Sequence, residues 1–266
     1  MTDPALQAQI EAATAYETLF VPAIFEEWAP RVVAAASLAP GHHVLDVACG
    51  TGVLARAAAA HVGEGGRVTA LDPIPGMLAV AERVAPHVEW RRGVAEDLPF
   101  ENDSFDACVS QFGLMFFTDR VGALREMKRV VRPGGRVAVA VWDSLENTPL
   151  YAEEVALLDR LAGSAAGDAL RAPFVLGDPR ELESLFTEAG FDDVKVTTQT
   201  GVGDFPSLRT LVEADLRGWL PVMGVPLSEE KIAEILAAAD STLARWVTPD
   251  GRLRFESPAH IVSGKA

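Results

Sequence analysis

The stretch Val44-Leu45-Asp46-Val47-Ala48-Cys49-Gly50-Thr51-Gly52 constrains this chain more than any other. A short apolar run ends near a carboxylate and meets a glycine-rich turn, and Val53-Leu54-Ala55-Arg56-Ala57-Ala58-Ala59-Ala60 then reads as helix. Strand, turn and helix in that order open a nucleotide-binding α/β unit. Glycines at the turn let the backbone approach a ligand that side chains would exclude, and the following helix presents its free N–H groups there.

The alternation continues downstream. Strands are expected at 43–48, 67–71, 88–92, 105–111 and 136–142, with helices at 53–62, about 76–84 and 119–131 between them. Arg132-Pro133-Gly134-Gly135 is expected to stop the last of these helices. The run at 136–142 is apolar throughout, as in strands buried on both faces of a parallel sheet. Before the first strand, residues 5–38 look helical with breaks at Pro22 and Pro30. Beyond Trp142 the pattern predicts a helix near 150–161, a loop at 171–177, and a helix from Asp178-Pro179 to Ala189 ended by Gly190. A sixth strand at 194–200, two helices near 208–220 and 228–246, and a seventh strand split at Pro258 complete the chain.

Composition removes several classes of function. The 266 residues can bury one substantial core, and one domain across 1–266 is expected. Lys and Arg number 23 against 38 Asp and Glu, a net charge of −15 and a pI near 4.7. Such a surface repels phosphate backbones and anionic lipid, so neither nucleic acid nor a membrane is an expected partner. Cys49 and Cys108 lack C-x-x-C spacing and read as reduced core residues of a cytoplasmic protein. Met1-Thr2-Asp3-Pro4 carries no basic, apolar leader pattern, and no run reaches the length of a membrane span. His42, His43, His61, His87 and His260 show no metal-ligand spacing, and no G-x-S-x-G, P-loop or H-E-x-x-H is present.

Two cofactor classes compete for the glycine-rich turn. Gly50-Thr51-Gly52-Val53-Leu54-Ala55 fits the dinucleotide fingerprint G-x-G-x-x-G/A. Asp46, four residues earlier, would however set an anion against a pyrophosphate. A carboxylate there suits a ligand with a cationic end, such as the ammonium and sulfonium of S-adenosylmethionine. The segment resembles motif I of the class I S-adenosylmethionine-dependent methyltransferases, particularly the ubiquinone/menaquinone-biosynthesis-type branch, although that family often has glycine where Ala48 stands. The resemblance implies a Rossmann-like α/β fold: a seven-stranded, mostly parallel sheet in the order 3-2-1-4-5-7-6, with the last strand antiparallel.

Site residues follow from the same reading. Asp72 ends the second strand twenty residues after Gly52, where a carboxylate can accept both hydroxyls of an adenosine ribose; the other reading of Asp72 is a helix cap before Pro73. By resemblance, Asp46, Ala48, Gly50, Gly52, Asp72 and Pro73 contact the cofactor, Met77 packs on its adenine, Ala95 (backbone) and Glu96 read the adenine edge, and Gln111 and Phe112 lie near its methionine end. Phe112, Met115 and Phe116 then lie beside the reacting methyl. An N-terminal helical lid (1–39) and an insertion (207–250) bring Phe20, Phe25, Trp219 and Met223 over the sheet's carboxyl edge, and Trp142 ends the fifth strand there. The expected acceptor is a small, largely apolar molecule methylated on carbon or oxygen rather than nitrogen, since no Asn-Pro-Pro-Tyr follows the fourth strand. If the acceptor must lose a proton, Tyr16 and Asp143 are the candidate bases. An NAD-dependent oxidoreductase and a non-catalytic cofactor-binding protein of the same fold remain the alternatives, and the oligomeric state is not legible.

Overall fold

A computed structural model describes residues 3–266; Met1 and Thr2, part of the stretch read above for a leader, lie outside the described residues. Helix α1 (Pro4–Phe20) begins with Asp3 accepting from the Ala5 N–H and Pro4 in its first turn, where a missing N–H costs nothing. A π-helical turn (Val21–Phe25) and a 3₁₀ turn (Glu26–Trp28) lead into α2 (Ala29–Ala35), so the expected break at Pro22 is a π turn and Pro30 sits at the start of a new helix.

Strand β1 (His43–Val47), α3 (Val53–Val62), β2 (Arg67–Asp72), α4 (Pro75–Val84), β3 (Glu89–Arg92), β4 (Phe105–Gln111), α5 (Arg120–Arg129) and β5 (Val131–Trp142) then alternate. After β5 come α6 (Pro149–Ala162), α7 (Ser164–Arg171), α8 (Pro179–Glu188), β6 (Asp192–Phe205), α9 (Leu208–Ala214), α10 (Leu220–Val222), α11 (Glu229–Thr242) and β7 (Leu253–Lys265). The seven strands form one sheet in the order β3-β2-β1-β4-β5-β7-β6, with β7 antiparallel to both neighbours. This is the expected order. From β1 the chain steps one way across the sheet to β3, then returns and steps the other way. Right-handed crossovers therefore put α3 and α4 on one face and α5 and α8 on the other. The reversal between β1 and β4 opens a crevice at the strands' carboxyl ends, where Asp46 and Gln111 lie.

Five local expectations are corrected. Pro133 and Gly134 lie inside β5, not in a turn before it: Phe105 pairs with Val131, but the next paired residue, Ala107, meets Arg136. Residues 132–135 form a bulge, the place where a strand tolerates Pro and a left-handed glycine (Gly134, φ +87°). The last strand is continuous through Pro258, whose carbonyl accepts from Asp143 just past the end of β5; its missing N–H lies beyond the β5 ladder. Helix α7 occupies residues 164–170, for which no element was expected, and takes in Arg171, expected as loop; a 3₁₀ turn, Ala172–Phe174, follows it. The helix expected at 208–220 is interrupted by a π-helical turn, Asp215–Trp219, and the one expected at 228–246 ends at Thr242 and is followed by a 3₁₀ turn, Ala244–Trp246.

Helix α1 lies directly on the start of α4. A Cβ on Gly76 would stand 2.5 Å from the Gln9 Cβ and 2.6 Å from its carbonyl carbon, and the Gly76 N–H donates to Gln9 Oε1 at 3.3 Å. No helix among the described residues is long and apolar enough to cross a membrane. Because backbone cannot give way as a flexible side chain can, Gly76→Ala should lower unfolding free energy by about 1–3 kcal/mol. Urea denaturation of the purified variant measures this, and wild-type stability would show that α1 does not bear on α4.

Candidate functional site

Three residues with left-handed backbone, Ala48 (φ +57°), Gly50 (φ +56°) and Gly52 (φ +89°), bend the chain sharply between β1 and α3. The value at Ala48 gives a physical reason for glycine at that position in related sequences: alanine tolerates this conformation only at a cost of about 1–2 kcal/mol. A Cβ on Gly52 would run into the Trp90 ring, whereas one on Gly50 would meet nothing within 4 Å. The loop is closed on one side and open above Gly50.

Asp72 braces this loop. One carboxylate oxygen accepts from the Gly50 N–H (2.8 Å) and the other from the Ile74 N–H (2.9 Å), so the carboxylate joins the glycine turn to the entry of α4. The capping reading of Asp72 is therefore present in the structure, and lone pairs remain on both oxygens for a further donor. Burial raises its pKa despite these two hydrogen bonds.

Asp46, at the carboxyl end of β1, is fully buried and neither oxygen has a hydrogen-bond partner. Burial pushes its pKa well above the ordinary carboxylate range; the backbone N–H of Ala55 works against this and the Asp72 charge adds to it. Around it, Thr51 Oγ1, Ser110 Oγ, Gln111 Oε1 and Glu17 Oε2 are likewise buried without partners. Native interiors leave few such groups, and a concentration of acceptors at one strand edge has the chemistry of a site for a cationic, donor-rich ligand. The ammonium and ribose hydroxyls of S-adenosylmethionine are such donors, and the residues present fit it.

The N-terminal helices cover this edge. Glu17 pairs with Arg56 (2.8 Å), whose guanidinium also donates to the Thr51 carbonyl (2.8 Å). Gln111 Nε2 donates to the Phe25 carbonyl at 3.0 Å. Tyr16 is held at the same place, with its pKa raised by burial and then by the charges of Asp72 and Glu17. Beside the loop, Phe112 (φ +57°) stacks on Trp142 with ring centroids 3.6 Å apart, and Phe25 and Trp28 lie against both rings at 5.6–6.0 Å. Phe20 continues the cluster, 5.9 Å from Tyr16.

The remaining expected residues scatter around this centre. Pro73 is exposed, Met77 is half-buried on α4, and Ala95 and Met115 are buried. Glu96 accepts from the Thr118 N–H at 2.8 Å, tying the loop after β3 to the loop after β4. Phe116 is exposed at the rim and packs on Trp219 at 5.4 Å. Asp143 is committed elsewhere: its Oδ1 accepts from the Ser144 N–H (2.6 Å) and Asn147 (3.0 Å) and stands 3.3 Å from His260 Nε2. Glu17 and Trp90 were not expected here, and neither carried a signal beyond its place in a helix and a strand.

Comparison with known proteins bears on the fold and the family. A profile of a methyltransferase domain matches residues 45–139. A demethylmenaquinone methyltransferase of Staphylococcus epidermidis is 32% identical over 188 residues, which cover 65% of this chain and 78% of that protein. The corresponding enzyme of Staphylococcus aureus is 35% identical over the same shares. Among solved structures, a phosphoethanolamine N-methyltransferase 2 of Haemonchus contortus in complex with S-adenosylhomocysteine shares the fold. Its TM-score is 0.58 at 20% identity, covering 95% of this chain and 56% of that one. The chain belongs to the class I S-adenosylmethionine-dependent methyltransferases, in the branch that contains the demethylmenaquinone methyltransferases.

Proposed function

We propose that this enzyme methylates a small, largely apolar acceptor of quinone type, on carbon or oxygen, beneath a helical lid formed by the described part of the N-terminal segment (3–39) and the insertion at 207–250. The observation that carries this reading is the stack of Phe112 on Trp142, walled by Phe25 and Trp28, next to the unpartnered Asp46 carboxylate. Aromatic faces of this kind exclude water and accept a flat apolar molecule, and they favour a neighbouring sulfonium. The demethylmenaquinone methyltransferases to which the chain is similar support a quinone-type acceptor by their names. The NAD-dependent alternative is set aside by family membership.

When bound, S-adenosylmethionine supplies an electrophilic methyl on a positively charged sulfur. Asp46 and the open side of the glycine turn are the residues that would hold its amino-acid and ribose groups, with Asp72 keeping the turn in place. The rings of Phe112, Trp142 and Phe25 orient the acceptor and exclude water. Alignment of this kind can lower a barrier by ~7–11 kcal/mol, enough for a reaction whose electrophile is already strong. A raised pKa keeps Tyr16 protonated at neutral pH, so in this scheme it donates a hydrogen bond and does not act as a base. Asp143, occupied by the 144–147 turn and His260, is left out of the chemistry.

Two experiments test the reading. For Asp46 the folded pKa lies above the unfolded one, so its contribution to stability is full below the ordinary carboxylate range and is lost as pH rises through the folded value. Asp46→Asn removes that loss: at pH 8 the cofactor-free variant should be at least as stable as wild type in thermal unfolding. Its affinity for S-adenosylhomocysteine in calorimetry should nonetheless fall by ~1.5–3 kcal/mol, the range for a hydrogen bond to a charged group. Unchanged affinity would remove Asp46 from the site. The second experiment is a methyl-label transfer screen over hydroxylated naphthalenes, phenols and amines, with tRNA and peptide controls. Label in the aromatic hydroxy compounds is expected; label confined to tRNA or peptide would refute the apolar pocket.

A further inference from the structure

A pair of buried carboxylates lies where the aromatic cluster ends, and the scheme above does not use it. Glu154 on α6 is fully buried and neither of its oxygens has a partner. Asp215, the first residue of the π-helical turn, is 3% exposed and its Oδ2 is likewise unpartnered. The two act on each other, and both act on the Tyr151 hydroxyl, which sits three residues before Glu154 on the buried face of α6. The charged groups close by do not serve them: Glu153 pairs outward with Arg245, and Arg217 pairs with Glu229.

A line of rings joins this pair to the glycine-rich edge. From Trp142 it runs to Phe25 (5.9 Å), Phe20 (6.4 Å), Phe205 (5.9 Å), Phe255 (6.3 Å) and Tyr151 (5.7 Å). The turn that carries Asp215 ends at Trp219, which is anchored by an indole N–H donated to the Ala169 carbonyl at 2.8 Å. Burial pushes both carboxyls up, Glu154 to about 8, and the charge of Glu154 raises Asp215 further. Two buried carboxyls that raise each other in an apolar surrounding do not both ionise, so at least one proton stays on the pair at neutral pH. Buried charge without a partner costs several kcal/mol, and hydrophobic side chains of similar size would fill the same space at no such cost.

We propose that Glu154 and Asp215 form the polar end of the acceptor pocket and hold a hydrogen-bond-donating group of the acceptor, a hydroxyl or an ammonium. This rests on the reading that an apolar acceptor lies against the rings of Phe112, Trp142 and Phe25, and extends it along the line of rings to Tyr151. A carboxyl pair that keeps at least one proton presents both a donor and acceptors, the complement of a hydroxyl beside a carbonyl, and losing a proton to a bound amine would leave a carboxylate to pair with the ammonium. It would select acceptors carrying such a group over purely apolar ones, because a ligand without it leaves the pair unsatisfied.

The test uses the full chain saturated with S-adenosylhomocysteine and three probes: a dihydroxynaphthalene, its dimethoxy counterpart and an aminomethylnaphthalene. Wild type should bind the diol or the amine at least about tenfold more tightly than the dimethoxy compound, and which of the two it prefers identifies the donor. The isosteric Glu154→Gln/Asp215→Asn variant should lose that preference while keeping its affinity for the dimethoxy compound and for S-adenosylhomocysteine. The single variants give the same readout should the double one fail to fold. Equal binding of all three probes by wild type, or a preference unchanged in the variants, overturns the assignment. Binding of S-adenosylhomocysteine with none of the three probes would instead show that the apolar acceptor reading itself is wrong, and the assignment falls with it.

Discussion

Everything at the working edge of this protein hangs on the bridge made by the Asp72 carboxylate. It holds the Gly50 N–H with one oxygen and the Ile74 N–H with the other, fixing the turn after β1 relative to the start of α4. A glycine-rich turn is otherwise the most mobile way to leave a strand, because glycine gives up more conformational freedom on folding than any other residue. Hydrogen bonds to a charged group contribute about 1.5–3 kcal/mol each, set against the cost of burying the carboxylate. The upward direction of the Asp72 pKa says that burial outweighs the two bonds for the charged form. The bridge is thus strained electrostatically while being well formed geometrically.

That strain belongs to a wider pattern. Asp46, Asp72, Glu17 and Tyr16 converge on one strand edge, and Arg56 is paired with Glu17 beside it. The first two carboxylates are raised by burial, as is the tyrosine. An edge of this composition is less stable alone than with a cation beside it, a coupling expected of binding sites, which trade folding stability for affinity.

The N-terminal helices are positioned largely by packing. Close approach at Gly76 lets α1 lie on α4, and the π turn at Val21–Phe25 then turns Phe25 toward Phe112 and Trp142. Each aromatic pair adds about 0.5–1.5 kcal/mol beyond its area burial, so the Phe25–Trp28–Phe112–Trp142 cluster can hold the N-terminal helices on the sheet edge. A second π turn, at Asp215–Trp219, interrupts the helical segment after α9; such turns recur at functional sites.

What the sequence determined by itself was local in its physics. The apolar run and glycine turn at 44–52, the strand–helix alternation as far as Trp142, and Asp178-Pro179 with Gly190 bracketing α8 depend on periodicity and capping within a few residues, and these are legible. The position of Asp72 at a strand end was equally legible, but its two roles, cap and brace, are separated only when Gly50 and Ile74 are brought to it. Pro258 looked like a break because its neighbour β5, which stops just short of it, lies more than a hundred residues earlier in the chain. Glu154 falls within an apolar stripe of its helix, a visible irregularity, yet nothing local pairs it with Asp215. Their relation is set by the tertiary fold, and the cost of burying a charge depends on the packing around it, not on the neighbours along the chain.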